Sequence, residues 1–322
     1  MINVVVMIYD DVVPSSVTGV IDLITGANKY LEKNGKPTTF HLQLSGEKPA
    51  NVYPTFLTQQ ISQKTFKETG VPQLIIVPAF SIGNETVVKK NQVAVQWLRD
   101  MKYQGAEVAS LCVGSYFLAE AGLLDGKEVA SHWAAADDIR KRYPRVKIKS
   151  DLLITDKEGV YTSGGAFSSL KLVVYLIEKF CGRETALWIS KMFAVEMDRI
   201  SQAHFAVFKG QHQHEDKEIL QAQLYIENRY RDDIHIRDVA SVVNMGNRNF
   251  IRRFKAATNN TPLEYLQRVR IESAKKAIET SEKDLSFIID DTGYSDVKTF
   301  RTIFKRFTGL SPVEYKKKYA RR

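Results

Sequence analysis

Residues 250–265 read FIRRFKAATNNTPLEY, and residues 300–315 read FRTIFKRFTGLSPVEY. Two phenylalanines, a Phe-Lys step, a threonine, a Thr/Ser-Pro step and a Glu-Tyr pair recur in the same order fifty positions apart. Self-similarity at that period marks a duplicated supersecondary unit. Upstream of the first copy, Ile236, Val239, Ala240 and Val243 share one helical face, and Asn244-Met245-Gly246 reads as a turn. A second helix is predicted from about Asn247 to Ala257, with Phe250, Phe254 and Ala257 facing inward. The second copy offers Leu285, Ile288 and Ile289, a turn at Thr292-Gly293-Tyr294, and a helix from about Asp296 to Phe307 with Phe300 and Phe304 inward. Two successive helix-turn-helix units in one all-α domain suit the reading of neighbouring stretches of DNA major groove.

The outward faces fit that task. Arg248, Asn249, Arg252 and Lys255 project from the first reader, and Lys298, Thr299, Arg301, Thr302 and Lys305 from the second. Arg and Lys can pair with guanine O6 and N7, Asn with adenine N6 and N7, and Thr with hydroxyl or thymine-methyl contacts. Lys255 and Lys305 lie further along their helices and are placed for phosphates. Thr261-Pro262-Leu263-Glu264 and Ser311-Pro312-Val313-Glu314 each put a cap, a proline at the first helical position and a capping-box glutamate in order. The first opens a long helix, Pro262 to about Thr280, expected to space the two readers so that they meet successive turns of one groove, roughly 34 Å apart.

Composition agrees. The formal charge is +9, and from Glu215 onward 22 Lys and Arg stand against 16 Asp and Glu. A basic excess on the smaller part fits a polyanionic partner. Two cysteines, Cys112 and Cys181, make no disulfide framework and suggest a reducing compartment. The apolar start, Met1 to Ile8, runs into Asp10 and Asp11 and reads as a strand rather than a signal peptide. No stretch has the eighteen uninterrupted apolar residues of a membrane span. A cytoplasmic protein with no membrane partner is expected.

The amino-terminal part alternates strands and helices. Asn3 to Ile8, Phe40 to Leu44, Leu74 to Val77 and Val108 to Leu111 are near-continuous apolar runs of strand length. Val17 to Glu32, Asn91 to Lys102 and Tyr116 to Gly122 read as helices between them. Strands near Leu152 to Thr155 and Val160 to Thr162 precede a helix from about Ser169 to Phe180. The pattern predicts an α/β doubly wound sandwich followed by the all-α domain. Cys112 falls where a strand runs straight into a helix, so its thiol is expected to point outward, near helix amides that stabilise a thiolate. His132, followed by Trp133, comes after another short strand. Cys112, His132, Trp133, Phe80 and Ser15 are the candidate lining of a ligand site at the carboxyl ends of the strands.

A helix is expected from about Arg183 to Arg199. The organisation read from the chain is 1–199 as sensor or dimerisation domain, 200–216 as linker, and 217–322 as DNA-binding domain. His212 and His214 have poor metal-site spacing and read as part of a solvated linker. No metal and no cofactor are expected.

Over roughly residues 2 to 182 the chain resembles the class I glutamine-amidotransferase-like superfamily, in its PfpI/ThiJ branch. The resemblance rests on the Cys112 elbow, on Ala119-Glu120-Ala121-Gly122-Leu123-Leu124-Asp125-Gly126, and on Thr162-Ser163-Gly164-Gly165. The chain departs from it in three places. Val113 stands where peptidase-like members carry histidine, no glutamate follows the first strand, and Pro78-Ala79-Phe80 replaces the glycines whose amides help form an oxyanion hole. Cys112 is therefore expected to line a pocket without catalysing a reaction. The alternative is a Cys112-dependent hydrolase or amidase, with His132 as base, fused to a DNA-binding domain.

Over about Leu220 to Tyr319 the chain resembles an AraC-family transcriptional regulator, most closely at Gly293-Tyr294-Ser295, Phe300, Phe304-Lys305, Thr308-Gly309, Ser311-Pro312 and Tyr315. The two halves together look like the GlxA-like type. That resemblance implies a homodimer binding double-stranded promoter DNA, a response to a small-molecule effector, and possible contact with RNA polymerase.

Overall fold

Consecutive apolar residues from Val4 to Ile8 have no face to offer water, and the chain buries both faces of the strand they form. In the computed structural model, which describes residues 1–48, 61–84, 86–198 and 201–320, two compact units emerge, Met1–Gln202 and Ala203–Arg322. The first contains β1 (Ile2–Ile8), α1 (Pro14–Lys33), β2 (Phe40–Gly46), β3 (Ser62–Thr65), β4 (Leu74–Val77), α2 (Thr86–Lys90), α3 (Gln92–Tyr103) and β5 (Glu107–Ser110). It continues through α4 (Ser115–Glu120), β6 (Glu128–Val129), α5 (Ala136–Arg142), β7 (Lys147–Ile148), β8 (Ile154–Lys157), β9 (Val160–Ser163), α6 (Leu170–Cys181) and α7 (Arg183–Met192).

Seven strands pair in the order β3-β2-β1-β4-β5-β9-β8, and β6 and β7 make a separate pair. All neighbours in the large sheet run parallel except β8 against β9. Alternate residues of β1 feed two cores. Val4, Val6 and Ile8 pack with Val17, Val20 and Leu23 of α1 and with Leu172 and Leu176 of α6. Val5 and Met7 pack with Leu98 of α3 and with Phe117 and Leu118 of α4. This is the doubly wound sandwich the alternation predicts.

The second unit contains α8 (Lys217–Arg229), α9 (Ile236–Val242), α10 (Asn247–Thr258), α11 (Pro262–Thr280), α12 (Leu285–Asp291), α13 (Val297–Thr308) and α14 (Pro312–Tyr319). It has two cores. Ile219, Ala222 and Ile226 of α8 meet Val239, Phe250, Phe254, Tyr265 and Leu266 in the first. Ile271, Ala274 and Ile278 of α11 meet Ile288, Phe300, Phe304 and Tyr315 in the second. The single helix α11 thus gives its first turns to one core and the rest to the other. The duplication also reaches further back than the phenylalanines: Ile219, Ala222, Ile226 and Glu227 are repeated as Ile271, Ala274, Ile278 and Glu279. Even the polar pair recurs, Tyr265 donating its hydroxyl to Glu227 and Tyr315 to Glu279.

Two expectations change. The helix predicted to reach Arg199 ends at Met192, where Phe193 closes it and Ala194 adopts a left-handed φ of 52° that a helix cannot continue through; Arg199 itself lies outside the described residues. The stretch 203–216, predicted as solvated linker, is bound along its own unit. Lys275 Nζ donates to Ala206 O at 2.5 Å and Phe208 N to Glu272 Oε2 at 3.1 Å. Gln223 Nε2 reaches Gln211 O at 3.0 Å, His214 Nε2 lies 2.8 Å from Gln223 Oε1, and His212 Nε2 lies 3.2 Å from Glu227 Oε1. Buried polar groups on α8 and α11 need partners, and this segment supplies them. Among the described residues no cluster of three metal-ligating side chains occurs, and no helix is long and apolar enough to cross a membrane.

Candidate functional site

Each reader is built from a short helix, a left-handed turn and a longer helix. Asn244, at φ 52°, and Gly293, at φ 79°, occupy equivalent places in the two turns. A side chain is strained in that region, and asparagine and glycine tolerate it best. At Gly293 space forbids one as well, since a Cβ would stand 2.8 Å from Arg231 O. The second turn is one residue longer and ends on Asp296, whose carboxylate accepts from Lys298 N and Thr299 N and caps α13. The Thr299 hydroxyl, followed by those two amides, holds the Asp296 carboxyl below its usual range. Both capping boxes read from the sequence are formed, Thr261 with Glu264 and Ser311 with Glu314. The Thr261 amide, helped by its hydroxyl, draws Glu264 below the ordinary carboxylate range, and the Ser311 hydroxyl, followed by its amide, does the same to Glu314.

Phe250 and Phe254, and likewise Phe300 and Phe304, are fully buried. The opposite faces therefore stand in water. Arg248, Asn249, Arg252 and Lys255 on α10, and Lys298, Thr299, Arg301, Thr302 and Lys305 on α13, are all exposed. Not all are uncommitted. Arg252 donates to Asn249 Oδ1 at 2.9 Å, which holds these two side chains together on one face. Thr299 Oγ1 is engaged with Asp296 Oδ2 at 2.5 Å, and Thr302 Oγ1 donates back to Lys298 O at 3.0 Å. Arg253, basic but absent from the predicted set, grips Asp216 through two bonds of 2.7 and 2.9 Å and also reaches Glu218 at 2.8 Å. It ties α10 to α8 and pulls the Asp216 carboxyl below its usual range.

In the first unit the carboxyl ends of β4, β5 and β9 surround the elbow. Cys112 has φ 56°, a conformation rare for a side-chain-bearing residue and common at strained functional turns. Its thiol does not point into solvent as predicted. It is 2% exposed, in a core with Tyr9, Phe80 and Phe117. Burial pushes the thiol up to about 12, outweighing the Val113 amide, so it stays protonated at neutral pH. His132 is also buried, and desolvation lowers its pKa. Its Nδ1 accepts from Ala134 N at 3.2 Å.

Trp133 is half-buried, its ring 5.1 Å from that of His132. Phe80 is a core residue, 5.7 Å from the Tyr116 ring, rather than an open wall. Ser15 is exposed, and Ser16 turns inward in its place. The Ser16 hydroxyl donates to Val13 O at 2.7 Å and accepts from Ala79 N at 3.1 Å. That amide, at the strand end where an oxyanion donor would be sought, is therefore already engaged. The residues that do converge are Cys112, Ser115, Ser131 and Gln202. Ser131 Oγ lies 2.7 Å from Ser115 Oγ and 3.3 Å from Cys112 O, while Ser131 O accepts from Gln202 at 2.7 Å. Gln202 was hidden from sequence reasoning, because no periodic pattern marks a lone glutamine 71 residues from its partner.

The DJ-1/PfpI family profile matches residues 64–179, and a helix-turn-helix domain profile matches residues 239–318. A Pseudomonas aeruginosa protein named HTH-type transcriptional regulator GbdR is 27% identical over 222 residues, 68% of this chain and 59% of that protein. HTH-type transcriptional regulator GlxA of Rhizobium meliloti is 22% identical over 67% of this chain and 66% of its own length. The chain thus spans less than two thirds of these relatives. A solved Vibrio parahaemolyticus structure aligns with TM-score 0.50 and 18% identity over 59% of this chain and 98% of its own, a likeness of fold alone. With the duplicated readers and the parallel sheet in place, the chain joins a part similar to the DJ-1/PfpI family to a part similar to a helix-turn-helix domain.

Proposed function

We propose that this chain is a sequence-specific transcriptional regulator that binds double-stranded promoter DNA and responds to a small molecule held by its amino-terminal unit. The observation that carries the reading is the doubled reader: two equivalent helices, each buried on its phenylalanine face and basic on the other, joined by one continuous helix. Arg248, Asn249, Arg252, Lys298 and Arg301 are proposed to meet base edges, and Lys255 and Lys305 phosphates. Thr302 donates its hydroxyl to its own backbone, which leaves its methyl and an acceptor lone pair for a base, and Thr299 serves chiefly the cap. A homodimer would present four such helices to a promoter with repeated half-sites, and contact with RNA polymerase belongs to the same reading.

Against a thiol enzyme stand the protonated Cys112 and the Ala79 amide already engaged by Ser16. The test is an electrophoretic mobility shift of the full chain across promoter fragments with random duplex as competitor. A preferred fragment, retained against a hundredfold excess of competitor, is the expected result. Equal affinity for all duplexes would overturn specific recognition.

A further inference from the structure

Gln202 is wholly buried, although it lies beyond the last helix of the sandwich and at the end of its unit. Its backbone N donates to Asp151 O at 3.0 Å, and neighbouring Ser201 forms a bridge with Leu152 and donates Oγ to Asp151 O at 2.9 Å. The side chain turns into the interior of the unit. Nε2 donates to Ser131 O at 2.7 Å and Leu152 O at 3.1 Å, which consumes both amide hydrogens. Oε1 is buried with no hydrogen-bond partner among the described residues. Glycine at 164 makes the insertion possible, because a Cβ there would lie 2.0 Å from Nε2. Ser131 O and Leu152 O therefore form a floor of two convergent carbonyl acceptors beneath it, and the group now on them leaves its own oxygen unpaired.

We propose that this floor is the effector subsite for a compact N–H donor, a primary ammonium or carboxamide group, and that Gln202 occupies it from within the chain until such a ligand displaces it. The inference rests on the small-molecule response proposed above and names its chemistry. An ammonium group would satisfy Ser131 O and Leu152 O and leave no acceptor oxygen stranded, whereas a carboxamide matches only their demand for N–H donors, as the resident amide does. Displacement would release residues 201 and 202 from the first unit. The chain continues directly into Ala203, where the second unit begins and where the following residues are held by α8 and α11. A ligand that expels Gln202 thus adds slack to the connection between sensor and reader.

The test uses the full chain, with propylammonium and propionamide as probes and ligand-observed NMR titration as readout. Gln202→Ala should bind at least one probe ten or more times as tightly as the wild-type chain. Gln202→Met, which fills the space without N–H groups, should show no gain. A Gln202→Ala chain that melts cooperatively and binds neither probe more tightly would overturn the proposal. So would equal gains in the two variants, which would indicate a nonspecific cavity. Should the alanine variant fail to fold, the side-chain amide signals of Gln202 in the 15N-labelled wild-type chain decide. Saturable displacement by a probe supports the site, and signals unmoved at high probe concentration refute it. These titrations need no DNA, so a chain that ignored promoters but showed the tenfold gain would still support the subsite.

Discussion

Cys112 and Arg252 illustrate what a single residue does and does not disclose. The elbow position of Cys112 follows from an apolar run that breaks into a helix, but its burial depends on Tyr9, Phe80 and Phe117, which come from separate parts of the chain. A thiol with pKa near 12 should react with iodoacetamide at pH 7.5 about a thousandfold more slowly than in the unfolded chain, where thiols titrate near 8.5. Comparable rates in the two states would contradict the burial. The same shift has a sign for stability. Folding favours the protonated thiol, so this contribution is complete below about pH 8.5 and is lost progressively as pH rises above it. For Arg252 the exposure follows from helical spacing, but its bond to Asn249 could not be foreseen. Arg252→Ala should cost about 1–3 kcal/mol of discrimination at one base position and little on random duplex, measured by competition binding. An equal loss on every sequence would recast it as a phosphate contact.

The elements were most legible where periodicity and punctuation agree. α11 and the starts of α10 and α13 fall within a residue of expectation, because proline, cap and buried phenylalanines all specify them. The short strand β7 and the polar edge strand β3 carried no such signal; SQKT has neither an apolar run nor alternation. Helix α8 was overlooked because its repeat with α11 runs fifty-two positions apart rather than fifty. Phe304 lies between Phe300 and Tyr315, with ring centroids at 5.5 and 5.4 Å. Truncation to alanine should destabilise the second unit by about 3–5 kcal/mol through lost burial and the cavity left behind. Urea unfolding of that transition should show the midpoint fall with an unchanged slope; an unaltered midpoint would mean the site repacks freely.

For the whole molecule, a doubly wound α/β sheet followed by an all-α part could be anticipated, since parallel α/β and duplicated helical patterns use different periods; the strand order could not. The fate of residues 203–216 could not, because their partners, Gln223, Glu272 and Lys275, lie on helices that come later in the chain. Charge is a property at this scale. With basic side chains on both readers, DNA affinity should fall linearly on a log–log plot against salt, and removing Lys305 should lower the slope by about 1. A slope near zero in fluorescence-anisotropy titrations would exclude backbone contacts by the readers.

The way α11 serves both cores, with Leu266 in one and Ile271 in the other, makes it a mechanical phase shaft. One alanine inserted between Val269 and Arg270 would twist everything beyond it by about 100° and advance it by about 1.5 Å. Each reader would keep its own chemistry while the pair lost its common pitch. Tight operator binding should then collapse to the strength of a single prong.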